Sequence, residues 1–175
     1  IVNGDDFQIV YPDTPGILKP NYKLQEKMMQ FVRGAITDAD VLLYVTDTVE
    51  ESDRSADIIE KVRLSGIPTI VVINKVDLTT ADKLTVLVEK WQTLLPEAII
   101  APCSAKEGFN IEGVVNLIVE RLPEGEAFYP KDTLTDKTLR FFASEIIREK
   151  ILLNYDKEIP YSCEIAIEAY KEEPT

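Results

Sequence analysis

Apolar residues in this chain come in two rhythms. Short unbroken apolar runs, Val41–Val45 and Ile70–Ile73 among them, have the four or five residues of a strand. Between them lie stretches whose apolar residues recur every three or four positions, as Leu24, Met28, Phe31, Val32 and Ala35 do, the period of an amphipathic helix. Read in order, the pattern predicts strands at Phe7–Tyr11, Val41–Thr46, Thr69–Ile73 and Ala98–Ala101. It predicts helices over Tyr22–Ile36, Ser52–Leu64, Thr80–Leu95 and Ile111–Leu122. Ser52 or Asp53 is placed to cap the second helix and Gly66 to stop it; Thr79 or Thr80 caps the third, which Pro96 closes. Ile1-Val2 and Phe7–Tyr11 flank Asn3-Gly4-Asp5-Asp6, where Asn-Gly can supply the positive φ of a tight hairpin. Strands alternating with helices predict an α/β fold with a mostly parallel sheet.

The rhythm fails at Pro123–Asp136, where Pro123, Gly125, Pro130 and several acidic residues interrupt any period. Beyond it, Lys137–Leu153 is helical, with Leu139, Phe142, Ala143 and Ile146 on one face. Tyr161–Tyr170 then alternates, Cys163, Ile165, Ile167 and Ala169 against Ser162, Glu164, Ala166 and Glu168, as a half-buried strand does. One helix and one strand cannot bury a core alone. The expected organisation is a domain over residues 1–123, a linker over 124–136, and part of a second domain over 137–175.

Composition narrows the chemistry. The 175 residues are 45% apolar and 29% charged, a globular balance. No apolar run approaches the roughly 20 residues needed to cross a bilayer, and no secretory signal opens the chain. There is no His, which removes Ser-His-Asp, Cys-His and His-ligated metal mechanisms together. Two Cys, 103 and 163, are too few for a Cys-rich metal site, and free thiols suit a reducing cytosol. The net charge of −12 opposes nonspecific attraction to nucleic acid or anionic lipid. The chain opens at Ile1 inside an apolar stretch, as a piece of something longer would.

Three loops carry candidate chemistry, each behind a predicted strand, where open α/β sheets place their ligands. Asp13-Thr14-Pro15-Gly16 offers a carboxylate that can hold Mg²⁺ through water and a glycine N–H that can approach a phosphate closely. Asn74-Lys75-Val76-Asp77 offers a carboxylate able to accept two hydrogen bonds from the ring N–H and exocyclic amine of guanine, a pair that adenine lacks. Asn74 is placed to tie neighbouring loops, and the Lys75 stem to lie across the base plane. Cys103-Ser104-Ala105-Lys106 brings backbone N–H groups toward the guanine carbonyl, with Ser104 bracing the loop. Each motif alone is as well explained by an ordinary turn or helix cap.

In the order DTPG, NKVD and SAK, the three resemble the third, fourth and fifth nucleotide motifs of the translation-factor-like branch of the P-loop GTPases, over nearly all of residues 1–123. Arg140–Leu152, then Glu158–Ser162, look like the start of the KH domain of the bacterial Era family of GTPases. The resemblance implies a three-layer P-loop GTPase domain with its N-terminal part missing, followed by the start of an α+β type II KH domain. It implies GTP or GDP as ligand, bound by Asp13, Thr14, Pro15, Gly16, Asn74, Lys75, Val76, Asp77, Ser104, Ala105 and Lys106, with Mg²⁺ at Asp13. It also implies GTP hydrolysis, binding of small-subunit ribosomal RNA, assistance to assembly of the 30S subunit, and a cytoplasmic location peripheral to the inner membrane, with no role on DNA.

The sequence departs from that pattern in three ways. None of its seven Gly lies in a GxxxxGK[ST] phosphate loop or a GxxG RNA clamp, so both are expected outside this stretch, which by itself is expected to be inactive. Residues 1–123 carry net −7 and 124–175 net −5, so neither offers a basic stripe for RNA; Arg140 and Arg148 are as readily solvated charges. Ile17 stands after Gly16, where the Ras-like branch keeps a water-orienting Gln, so intrinsic hydrolysis is expected to be slow and no catalytic residue is assigned. Two other readings remain open: a non-catalytic scaffold with a degenerate nucleotide site, and a tandem-domain ribosome-assembly GTPase.

Overall fold

The computed structural model describes residues 1–12, 14–17, 23–49, 56–135, 137–155 and 164–169. In chain order its elements are β1 (Val2–Asn3), β2 (Gln8–Ile9), α1 (Lys23–Asp38), β3 (Leu42–Asp47), α2 (Ala56–Ser65), β4 (Thr69–Asn74), a 3₁₀ turn at Val76–Leu78, α3 (Ala81–Leu94), β5 (Ile99–Pro102), α4 (Ile111–Val119) and α5 (Leu139–Asn154). Two compact units divide them: Gly4–Ala127, and Ile1–Asn3 with Phe128–Thr175.

The larger unit is built about β4. It pairs in parallel with β3, Leu42 opposite Thr69 through Asp47 opposite Asn74, and with β5, Ile70 opposite Ile99 through Ile73 opposite Pro102. Side chains of a strand point alternately to its two faces. Val71 and Ile73 accordingly join Met29, Val32 and Ile36 of α1, Ile58 and Val62 of α2, and Trp91 of α3. Ile70 and Val72 join Ile9, Ala101, Cys103 and, from α4, Val114 and Ile118. Helices therefore cover both faces, and the run Ile70–Ile73 is unbroken because both faces are buried. Each such side chain contributes about 1.5–3 kcal/mol when fully buried. The Tyr44 ring packs against Trp91 at 5.0 Å between centroids, seating α3 on the sheet.

Most elements lie within two residues of their predicted spans, and the differences have local causes. The fourth helix stops at Val119 because Arg121 and Leu122 donate to Ile118 and Val119 three residues back, tightening the last turn. Gly66, at φ 68°, ends α2 as a left-handed stop; the expected caps Ser52 and Asp53 lie outside the described residues. Thr80 takes the N-cap position of α3. The strand expected at Phe7–Tyr11 shortens to Gln8–Ile9. The turn before it is closed by the Gly4 N–H donating to the Phe7 carbonyl at 2.9 Å, but Gly4 does not supply a positive φ. A Cβ at Gly4 would run into the Phe7 ring, so space, not backbone freedom, requires glycine there.

In the smaller unit the Ile1 backbone nitrogen donates to the Leu134 carbonyl at 3.0 Å, and Asn3 Nδ2 to the Thr133 carbonyl at 3.1 Å. Thr138 caps α5, its hydroxyl accepting the Phe141 N–H at 3.3 Å. No residue of α5 is buried. The strand expected at Tyr161–Tyr170 is corrected in its described part: Glu164–Ala169 carry no strand pairing. Alternation alone does not make a strand; the backbone needs a partner ladder, and none of the described residues supplies one.

Candidate nucleotide-binding site

Three parallel strands end side by side, and their carboxyl ends assemble the site. Asp47 closes β3, Asn74 closes β4 in register with it, and Cys103-Ser104 follow β5. The β4–β5 ladder continues past the strands: the Cys103 N–H donates to the Ile73 carbonyl at 2.8 Å and the Val76 N–H to the Cys103 carbonyl at 3.2 Å. The NKVD and SAK loops are thus fixed to each other through their backbones.

Side chains complete the brace. Asn74 Oδ1 accepts the Lys75 N–H at 2.8 Å and the Ala105 N–H at 2.9 Å, so Asn74 ties the two loops as its place in the sequence predicts. Cys103, 2% exposed, has its thiol 3.8 Å from the same oxygen, and burial pushes its pKa up. Ser104, 1% exposed, donates its hydroxyl to Asp77 Oδ1 at 2.5 Å and accepts the Glu107 N–H at 3.2 Å. A carboxylate has about four acceptor positions. With one taken by Ser104, the exposed Asp77 keeps the capacity to accept a donor pair. The Ala105 N–H, expected to face a guanine carbonyl, donates here to Asn74, and a base oxygen would have to share it.

The loop beyond Ser104 folds back on itself: Ser104 and Phe109 exchange both backbone hydrogen bonds. Gly108 (φ 70°) and Asn110 (φ 56°) make the reversal, and Asn110 Nδ2 reaches the Pro102 carbonyl at 2.9 Å. A Cβ at Gly113 would collide with the Asn110 side chain, which explains that glycine inside α4.

Two residues of the site escaped the sequence reading. Asp47 Oδ2 accepts the Lys75 ammonium at 2.5 Å, and Thr48 Oγ1 donates to the Lys75 carbonyl at 3.0 Å. Lys75 itself sits in the left-handed region, φ 61° and ψ 34°, and starts the 3₁₀ turn that presents Asp77. The signal was a Thr-Asp-Thr ending on an apolar run, read only as the strand's end.

The first motif is placed differently. Asp13, the expected Mg²⁺ ligand, lies outside the described residues. Thr14 and Gly16 are exposed, and nothing stands within 4 Å of the position a Gly16 Cβ would take. Ile17 is partly buried against the α1–α2–α3 core, a packing reason for an apolar residue where a polar one would orient water.

Comparison with known proteins follows this geometry. The elongation factor Tu GTP binding domain family matches residues 3–124. The chain belongs to that family. Among curated relatives it is 36% identical to GTPase Era of Clostridium kluyveri over 172 residues, covering 98% of this chain and 59% of the relative. It is 36% identical to the chloroplastic GTPase ERA1 of Zea mays over 178 residues, covering 99% and 43%. The chain therefore spans about half the length of these relatives, 59% of the first and 43% of the second. Among solved structures, Era in complex with MgGDPNP and nucleotides 1506–1542 of 16S ribosomal RNA superposes with a TM-score of 0.76 at 36% identity, over 86% of this chain and 52% of that one. Era of Aquifex aeolicus bound to GDP·AlF4⁻ gives the same TM-score at 35% identity. The loops braced by Asn74 and Ser104 lie within the residues that the family matches.

Proposed function

We propose that the protein carrying this chain is an Era-type GTPase. It binds GTP and GDP, hydrolyses GTP, and uses nucleotide state to govern binding to small-subunit ribosomal RNA during assembly of the 30S subunit. The observation that carries the nucleotide half is the Asn74–Ala105 and Ser104–Asp77 pair of bonds, which holds one exposed carboxylate at the joined ends of β4 and β5. That arrangement suits guanine, with Asp77 as acceptor, Asn74 as the tie, and the Lys75 stem beside the base. Ser104, Ala105 and Lys106 close the pocket, and Val76 spaces Lys75 from Asp77. Thr14, Pro15 and Gly16 would meet the phosphates, with Mg²⁺ at Asp13; when bound, that ion neutralises charge developing on the transferred phosphoryl group. Ile17 is packed into the core, so water must be oriented by other groups and unassisted turnover is slow.

The ribosomal half is supported by the 16S RNA held in the similar Era complex and by the Era-like segment Arg140–Leu152. It includes the type II KH domain begun by α5 and a cytoplasmic location peripheral to the inner membrane.

The test is titration calorimetry on the full-length protein with GDP and with xanthosine diphosphate. Wild type is expected to bind GDP at micromolar concentration. Asp77→Asn exchanges an acceptor for a donor and is expected to weaken GDP by about a hundred-fold or more while strengthening the xanthine nucleotide. Unchanged guanine preference would remove Asp77 from its role. No GDP binding by wild type would favour a non-catalytic scaffold.

A further inference from the structure

Lys75 is held at both of its ends by residues that precede the nucleotide motif by nearly thirty positions. Its carbonyl accepts from Thr48 Oγ1 at 3.0 Å, and its ammonium donates to Asp47 Oδ2 at 2.5 Å. Asp47 is mostly shielded, its side chain 18% exposed, while the Lys75 side chain is 49% exposed. The other Asp47 oxygen, Oδ1, accepts the Val49 N–H at 2.8 Å, which fixes the carboxylate at the end of β3. Asp47 and Asn74 are register partners, so this anchor moves with the sheet and not with a loop.

The backbone of Lys75 gives the clasp its reason. A non-glycine residue in the left-handed region is disfavoured by roughly 1–2 kcal/mol and persists only where its surroundings hold it. Here the left-handed turn begins the 3₁₀ segment that presents Asp77, and it is held by the Thr48 bond to the carbonyl. The ammonium contact stretches the stem between the ends of β4 and β3 and fixes an apolar strip at the mouth of the site.

We infer that Asp47, with Thr48, is a positioning residue for guanine recognition, acting through Lys75 without touching the nucleotide. This rests on the guanine-binding role proposed above. Asp47 sets where the Lys75 stem lies for the base to stack upon, and Thr48 holds the turn that places Asp77.

A double-mutant cycle on the full-length protein tests it, with GDP affinity as the readout and the Trp91 fluorescence melt as a control for folding. Asp47→Asn keeps an oxygen for the Val49 N–H and removes the charge paired with Lys75. It is expected to weaken GDP by about ten-fold in the wild-type background and by less than about two-fold in a Lys75→Ala background, because coupled residues lose their interaction only once. Equal losses in both backgrounds, or no loss in either, would overturn the inference. If Asp47→Asn does not fold, Asp47→Ser in the same two backgrounds removes the same charge and is judged by the same outcomes. The two readings fail separately. Wild type that binds no GDP overturns both, whereas wild type that binds GDP and switches with Asp77→Asn, but shows no coupling at Asp47, overturns only this one.

Discussion

The loops after β4 and β5 and the stretch after β2 all stand at strand carboxyl ends, yet they are built to different standards. The first pair is fixed by ladder bonds from Cys103 and Val76, by Asn74 joining Lys75 to Ala105, and by Ser104 on Asp77. The other is anchored through Ile17, while Thr14 and Gly16 stand exposed. The difference follows from where the partners come from. The first pair draws its braces from residues 47–48, 73–77 and 103–110, at or just beyond the carboxyl ends of three strands of one sheet. Under the function proposed above, the loops that would read guanine are expected to be the better-held part of the site.

A matched pair of substitutions puts that contrast at risk. Ser104→Ala removes a buried hydroxyl and leaves Asp77 without its donor, at an expected cost of about 1–2 kcal/mol, toward the low end for bonds to a charged group because Asp77 is exposed. Gly16→Ala adds a methyl where there is open space and is expected to change stability by less than about 0.5 kcal/mol. Urea melts followed by the fluorescence of Trp91, the single tryptophan of these 175 residues, report on the unit that holds both sites. Equal destabilisation by the two changes would mean that the stretch around Gly16 is as tightly held as the loops after β4 and β5.

Ile17 sharpens the same comparison from the other side. Ile17→Gln installs the residue type that orients water in the Ras-like branch, but at a side chain packed on the core. It is expected to lower stability by about 1 kcal/mol and to leave single-turnover GTP hydrolysis no faster. A clear acceleration would show that position 17 can swing from the core to the nucleotide.

How much of this was legible in the sequence depends on the range of the interactions concerned. Elements whose signal is local were read well: Thr69–Asn74 because burial on both faces leaves an unbroken apolar run, α3 because Thr80 and Pro96 bracket it, and the end of α2 because Gly66 punctuates it. The NKVD and SAK loops were legible as motifs; Asn74 ties the two and Ser104 braces its own, as expected. Asp47 and Thr48 were missed because their meaning lies in the register of β3 against β4, and no spacing within either segment encodes it. Gly4 was misjudged for a similar reason: its constraint is the Phe7 ring, not its own φ. The alternation of Tyr161–Tyr170 was read as a strand, and over its described part, Glu164–Ala169, it is not one: a period of two records which residues would face a core, not whether a partner strand is there.

The smallest expected effect concerns Cys103, whose thiol lies beneath Asn74. Burial raises its pKa, so the neutral thiol is the form the fold prefers. Below the thiol's ordinary value of about 8.5, native and unfolded chains both hold the proton and the contribution is intact. Above it the unfolded chain releases its proton while the native thiol keeps it, so stability falls with pH until the raised native value is passed. The Tyr11 phenol, also raised by burial, acts in the same direction but at higher pH. The useful window is therefore about pH 8.5 to 10, between the ordinary thiol and phenol values. In a Cys163→Ala background, the urea midpoint is expected to fall across that window, and Cys103→Ala is expected to remove most of the slope. Parallel curves for the two proteins would mean that water reaches the thiol, and with it the Asn74 tie on which the better-held part of the site depends.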